Sequence, residues 1–178
     1  MKTIKVLLSI TLMTLIWGCS MKSIPEEKVY KNVDEMIAEA RSLTSDMSVD
    51  DFHALMNSDS AYILIDVRLP EEHKKGFIPG SISIPRGVIE FRIANEKVWD
   101  EEGMYVPEKN EMLVLYCKKS KRGALAALAL KQLGYTNVKN INGGWTDWHA
   151  KYPEIKEDKI EAGAQVSAAA EEEESGGC

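Results

Sequence analysis

The chain has 178 residues, 44% of them hydrophobic and 28% charged, which is enough for one domain with a real core plus tails. A net charge of −6 argues against nucleic acid as a partner. The 3 cysteines (Cys19, Cys117, Cys178) and 3 histidines (His53, His73, His149) lack the spacing of a disulfide framework or a metal site, so neither metal nor cofactor is expected.

Lys2 and Lys5 precede a mostly apolar run over residues 6–17. That is signal-peptide length, short of the ~20 apolar residues a spanning helix needs. The run closes on Leu15, Ile16, Trp17, Gly18, Cys19 and Ser20, which resembles the lipobox of bacterial lipoproteins. Gly18 fits the small residue before cleavage, while Trp17 fills a slot that is usually small or aliphatic. The resemblance implies a signal peptide over residues 1–18, acylation of Cys19, and a domain tethered to a bacterial membrane, facing the periplasm or the outside. A plain secretory signal or an uncleaved anchor is the competing reading. Residues 19–32 are polar, carry Pro25, and read as a tether.

A domain is expected over residues 33–155. Asn32 precedes Val33, Met36, Ile37 and Ala40, spaced as one helix face. Ser48 and Asp51 resemble a capping box that opens a second helix with Phe52, Leu55 and Met56 inward. The unbroken apolar run 62–65 predicts a strand buried on both faces of a parallel sheet. It leads into the string DVRLPEEHKKGFIPGSISIP, which begins at Asp66. Within it, Pro79 and Gly80 predict a type II turn and residues 81–84 a short strand. Residues 86–93 predict a short helix with Val88, Ile89 and Ile93 apolar. Residues 95–110 read as a charged surface loop whose Trp99, Met104 and Tyr105 pack rather than line a pocket.

Residues 112–133 carry the chemistry. An apolar run ends in Cys117, then Lys118, Lys119, Ser120, Lys121, Arg122 and Gly123, then Leu125, Leu128, Ala129 and Leu133 at helical spacing, with Gly134 as a C-terminal cap. This predicts a buried strand, a tight loop and a helix. A loop closing onto a helix start turns several backbone N–H groups inward, and with the helix dipole these form an anion site. Cys117 opens that loop beside four basic side chains. This reads as a reactive thiolate setting rather than a core one. Each lysine taken alone is surface; their sum is a local positive field. Residues 138–141 predict a further strand, and Asn142, Gly143, Gly144 and Trp145 a tight turn into a helix with Trp145, Trp148 and Tyr152 on an aromatic face. The alternation predicts an α/β fold, a mainly parallel central sheet with helices on both faces, and Cys117 at the C-terminal end of a strand.

Cys117, four intervening residues and Arg122 between strand and helix resemble the active loop of the rhodanese (sulfurtransferase) family. The string from Asp66 is similar to the same family's first signature, and Gly143, Gly144 and Trp145 to its closing element. Phe77 stands where the family usually has His, and His73 where it usually has an aromatic. The resemblance implies that Cys117 accepts a sulfane sulfur from thiosulfate or a similar donor, holds it as a persulfide, and passes it to a thiophilic acceptor. Residues Lys118, Lys119, Ser120, Lys121, Arg122 and Gly123 would cradle it. The implied partners are small sulfur anions or thiols, with a protein acceptor as one option. Sulfur transfer needs no carboxylate base once the thiolate exists, so Asp66 and Arg68 read as a structural ion pair. Two other readings stand beside this one. One is a phosphatase or arsenate reductase, since some phosphatases share the fold, though those relatives carry a loop one residue longer; a non-catalytic redox-sensing or partner-binding module is the other. Residues 156–178 form an acidic low-complexity tail, and Cys178 reads as an idle thiol rather than a sulfur relay.

Overall fold

The computed structural model describes residues 28–153. The lipobox with Cys19 and the acidic tail with Cys178 lie outside them. The chain divides into two units, Met1–Lys31 and Asn32–Cys178. In the first, the Lys28 ammonium lies 5.3 Å from the Tyr30 ring centroid.

The second unit opens with helix α1 (Val33–Leu43), started by the Asn32 carboxamide accepting from the Glu35 N–H at 3.0 Å. Its buried stripe is Ile37 and Ala40; Val33 and Met36, expected on that face, are exposed. A three-residue strand β1 (Ser45–Met47) follows, which the charged, short segment gave no pattern to predict. Helix α2 (Val49–Met56) begins at the expected capping box: the Asp51 N–H donates to Ser48 Oγ at 3.0 Å and the Ser48 N–H to Asp51 Oδ2 at 3.2 Å.

Strand β2 (Ile63–Asp66) leads through the short helix α3 (Pro70–His73) to β3 (Ser81–Ser83). Gly80 takes the positive φ, +75°, that the Pro79 turn needs. A 3₁₀ turn (Arg86–Val88) runs directly into α4 (Ile89–Arg92). Residues 95–110 are not all loop. Asn95 caps a further helix, α5 (Glu96–Glu101), whose Trp99 is fully buried and donates its indole N–H to the Ile93 carbonyl at 2.9 Å. Packing of one tryptophan overrides the high charge of that stretch. Strand β4 (Leu113–Tyr116), helix α6 (Lys121–Gln132), strand β5 (Val138–Ile141) and helix α7 (Gly144–Lys151) complete the fold.

The five strands form one sheet, in the order β1-β5-β4-β2-β3, with every pairing parallel. Alternate side chains of β2 and β4 serve two cores, as burial on both faces requires. Ile63, Ile65, Leu113 and Leu115 join Ile89, Ile93, Trp99, Ala126, Ala127 and Leu130 on one face. Leu64, Val114 and Tyr116 join Phe52, Ile141 and Trp148 on the other.

Helix α6 departs from the expected face. Its buried residues are Gly123, Ala124, Ala126, Ala127, Ala129 and Leu130, whereas Leu125 and Leu128 are half-buried and Leu133 is exposed. Small side chains let the helix axis come close to the sheet, and helix α1 lies alongside α6. Among the described residues no helix is long and apolar enough to cross a membrane.

Candidate active site

All loops that follow the C-terminal ends of β2, β3, β4 and β5 open on one edge of the sheet, because every strand points the same way. Cys117 is the first residue beyond β4. It is 2% exposed and belongs to the apolar cluster that contains Val67, Ile84 and Ile89. This corrects the expectation of a setting unlike a core. The residue continues the inward alternation of Leu113 and Leu115, so one side of its sulfur meets hydrocarbon while the loop supplies the polar side.

The loop from Lys118 to Gly123 is tight. Ser120 adopts φ +71°, the left-handed region, and is fully buried. Such a backbone costs a non-glycine residue on the order of 1–2 kcal/mol. It is offset by two hydrogen bonds to its hydroxyl oxygen: Arg41 Nη2 donates at 2.6 Å and Asn140 Nδ2 at 3.0 Å. The N–H groups of Lys118, Lys119, Ser120, Arg122 and Gly123 have no acceptor among the described residues. A left-handed residue set ahead of a helix start is the arrangement that collects such donors into an anion-binding concavity.

The opposite wall is the turn into α7. The Trp145 N–H donates to the Cys117 carbonyl at 2.8 Å, and the Thr146 N–H and hydroxyl donate to the Lys118 carbonyl at 3.1 and 2.8 Å. Gly144 sits at φ +60°, and a Cβ there would lie 2.1 Å from the Cys117 carbonyl oxygen. Beneath the loop a Cβ on Gly123 would lie 2.0 Å from Asn140 Oδ1. Glycine is required at both positions by close approach.

Charges around the loop are largely compensated. Arg122 grips Glu72 bidentately, Nη1 to Oε2 at 2.6 Å and Nη2 to Oε1 at 2.9 Å. That grip holds the Glu72 carboxyl at about 2, against an ordinary 4.5. The same hydrogen bonds to Glu72 raise the Arg122 pKa against the opposing effect of burial, and Cys117 contributes in the same direction as Glu72. Lys121 pairs with Asp34 of α1 at 2.6 Å. Lys118 and Lys119 are exposed.

A rhodanese-like domain model matches residues 48–151. The chain belongs to the rhodanese-like family. Human thiosulfate:glutathione sulfurtransferase is 34% identical over 109 residues, which cover 59% of this chain and 93% of that protein. The solved human single-domain sulfurtransferase TSTD1 matches with a TM-score of 0.55 at 30% identity, over 60% of this chain and 96% of that one. A Rhodopseudomonas palustris structure named as a protein of unknown function, possible tyrosine phosphatase, matches with a TM-score of 0.55 at 28% identity, over 70% and 94%.

Within this rhodanese domain, Asp66 and Arg68 form a buried ion pair. Arg68 Nη2 donates to Asp66 Oδ2 at 2.6 Å and Nε to Oδ1 at 2.9 Å, while the Arg68 N–H also donates to Oδ1 at 2.9 Å. Arg68 further donates to the Gly76 carbonyl at 2.7 Å and lies 4.9 Å from the Trp145 ring and 5.4 Å from the Tyr116 ring. The family departures at His73 and Phe77 meet each other: their rings stack at 4.3 Å, and His73 Nδ1 lies 2.9 Å from Asp66 Oδ2.

Sequence reading missed Glu72 as the partner of Arg122, and Arg41, Asp46 and Asn140 as supports of the loop. The Glu72–Arg122 pair spans 50 positions and Arg41–Ser120 spans 79, so no local pattern marks either. A cavity of about 220 Å³ between Tyr62, Tyr105, Met112 and Asn137 lies at the N-terminal edge of the sheet, opposite Cys117. Tyr105 is exposed and borders this hollow, against the expectation that it packs, while Met104 packs on the core. Among the described residues no cluster of His, Cys, Asp or Glu is suited to hold a metal.

Proposed function

We propose that this rhodanese domain is a sulfurtransferase that carries sulfane sulfur on Cys117. The observation that supports it most is the loop after Cys117, in which the N–H groups of Lys118, Lys119, Ser120, Arg122 and Gly123 have no acceptor among the described residues and Ser120 takes the left-handed backbone of an anion-binding turn. In the first half-reaction the Cys117 thiolate attacks the outer sulfur of thiosulfate. A new S–S bond forms, the old one breaks, and sulfite leaves with the electron pair. In the second, an acceptor thiolate takes the outer sulfur and Cys117 departs as thiolate, so no external oxidant is needed. Loop amides and Arg122 stabilise the anion at each stage, in a site shielded from water. Names of relatives such as thiosulfate:glutathione sulfurtransferase point to the same donor class.

The second reading, a phosphatase, draws on the Rhodopseudomonas palustris neighbour's name. Only four residues separate Cys117 from Arg122, one fewer than the phosphatase loop carries. Incubation with thiosulfate followed by peptide mass spectrometry tests the reading. The expected result is one added sulfur on Cys117, absent in Cys117→Ala. Aryl phosphate hydrolysis without that adduct would establish the phosphatase instead.

A further inference from the structure

The family match begins at Ser48, so α1 and β1 precede it. Both are nevertheless built into the Cys117 loop. Arg41, in the last turn of α1, places Nη2 2.6 Å from Ser120 Oγ and Nη1 3.2 Å from Asp46 Oδ2. Asp46, on β1, accepts from Asn140 Nδ2 at 2.7 Å, and the same nitrogen donates to Ser120 Oγ at 3.0 Å. Four side chains thus close a ring, two of them from the segment ahead of the family match. Asn140 Oδ1 is buried without a partner and turns toward Gly123. The opposite amide orientation would set that oxygen against the Asp46 carboxylate.

What the ring holds is Ser120, the one described non-glycine residue with a positive φ. The change of backbone hand at Ser120 aims successive N–H groups to one side. A serine is disfavoured in that conformation and glycine is not. We propose that Arg41 is a positioning residue for the Cys117 chemistry: by holding the Ser120 hydroxyl it fixes the loop conformation that gathers the backbone donors. It acts through Ser120. The inference rests on the sulfurtransferase reading for its substrate and stands apart from it for the geometry.

The consequence is conditional, which makes it testable: dependence on Arg41 should vanish once residue 120 is glycine. The full chain is compared as wild type, Arg41→Gln, Ser120→Gly and the double variant. Two initial rates are read on the Cys117 peptide by mass spectrometry, persulfide formation from thiosulfate and alkylation by iodoacetamide. Circular dichroism melts confirm that each protein is folded at the assay temperature, and Arg41→Lys replaces Arg41→Gln if the latter is not. Arg41→Gln is expected to slow both rates about tenfold in the Ser120 background and by less than about twofold in the Ser120→Gly background. Unchanged rates in Arg41→Gln, or an equal loss in both backgrounds, would overturn the inference. A wild type that is alkylated but takes no sulfur from thiosulfate would remove the sulfurtransferase reading, while the alkylation rates still decide the role of Arg41.

Discussion

Arg122 has two neighbours that matter, the Glu72 carboxylate that it grips and Cys117. The first fixes the guanidinium plane, so the second meets a side chain already oriented. Glu72 is ionised well below the ordinary carboxylate range, because Arg122 binds its charged form. A depressed folded-state pKa contributes stability in full above the unfolded value near 4.5, and that contribution is lost as pH falls toward 2. Thermal melts across this window should therefore show a smaller acid-side loss for Glu72→Gln than for the wild type; parallel curves would contradict the pairing. Asp66 and Arg68 form a pair of another kind, 0% and 3% exposed. Removing one partner of a buried pair strands the other charge and costs about 3–5 kcal/mol. Arg68→Met should lower the unfolding free energy by that order in urea titration, and a loss under about 1 kcal/mol would assign the site a weaker role.

At the scale of elements, α6 shows what could and could not be read in advance. Its start, its end near Gly134 and the strand before it were legible, because an apolar run, a basic loop and a capping glycine are local signals. Its buried face was not. Leucines dominate the apolar pattern, yet the buried face is mostly alanine with Leu130, since a helix set close to a parallel sheet has little room for large side chains. The strand β1 was illegible for a similar reason: its pairing with β5 is decided by tertiary contact. The site divides the same way. Cys117, its loop, and the Asp66 and Arg68 positions followed from motifs, while Glu72, Arg41 and Asn140 reach the loop only through long-range folding. Ala127 is fully buried and Leu133 is 43% exposed, so the two faces can be told apart by substitution. Ala127→Leu should cost about 1–3 kcal/mol by overpacking, whereas Leu133→Ala should stay within about 0.5 kcal/mol. Chemical denaturation checks both; the reverse order would restore the leucine face.

For the whole molecule, a parallel sheet gathers its strand-to-helix loops on one edge, and Cys117 lies there while the 220 Å³ cavity lies on the other. We further propose that the domain is held at a bacterial membrane through acylated Cys19. Labelling cells with a radioactive fatty acid should mark the wild type and spare Cys19→Ala; equal labelling of both would refute the anchor. If Cys117 carries sulfane sulfur as proposed, its deep seating also bears on which of the two sulfurs would react. A disulfide-type S–S bond is about 2.05 Å long, so the delivered atom stands one bond nearer the entrance than the atom that carries it. An arriving nucleophile would meet that outer atom first and lift it away. The inner atom keeps its hydrocarbon neighbours at its back, so attack there, which would shed hydrosulfide and leave the acceptor covalently stuck to the protein, is sterically screened. Burial that looks unfavourable for a nucleophile would thus direct the cargo to its recipient.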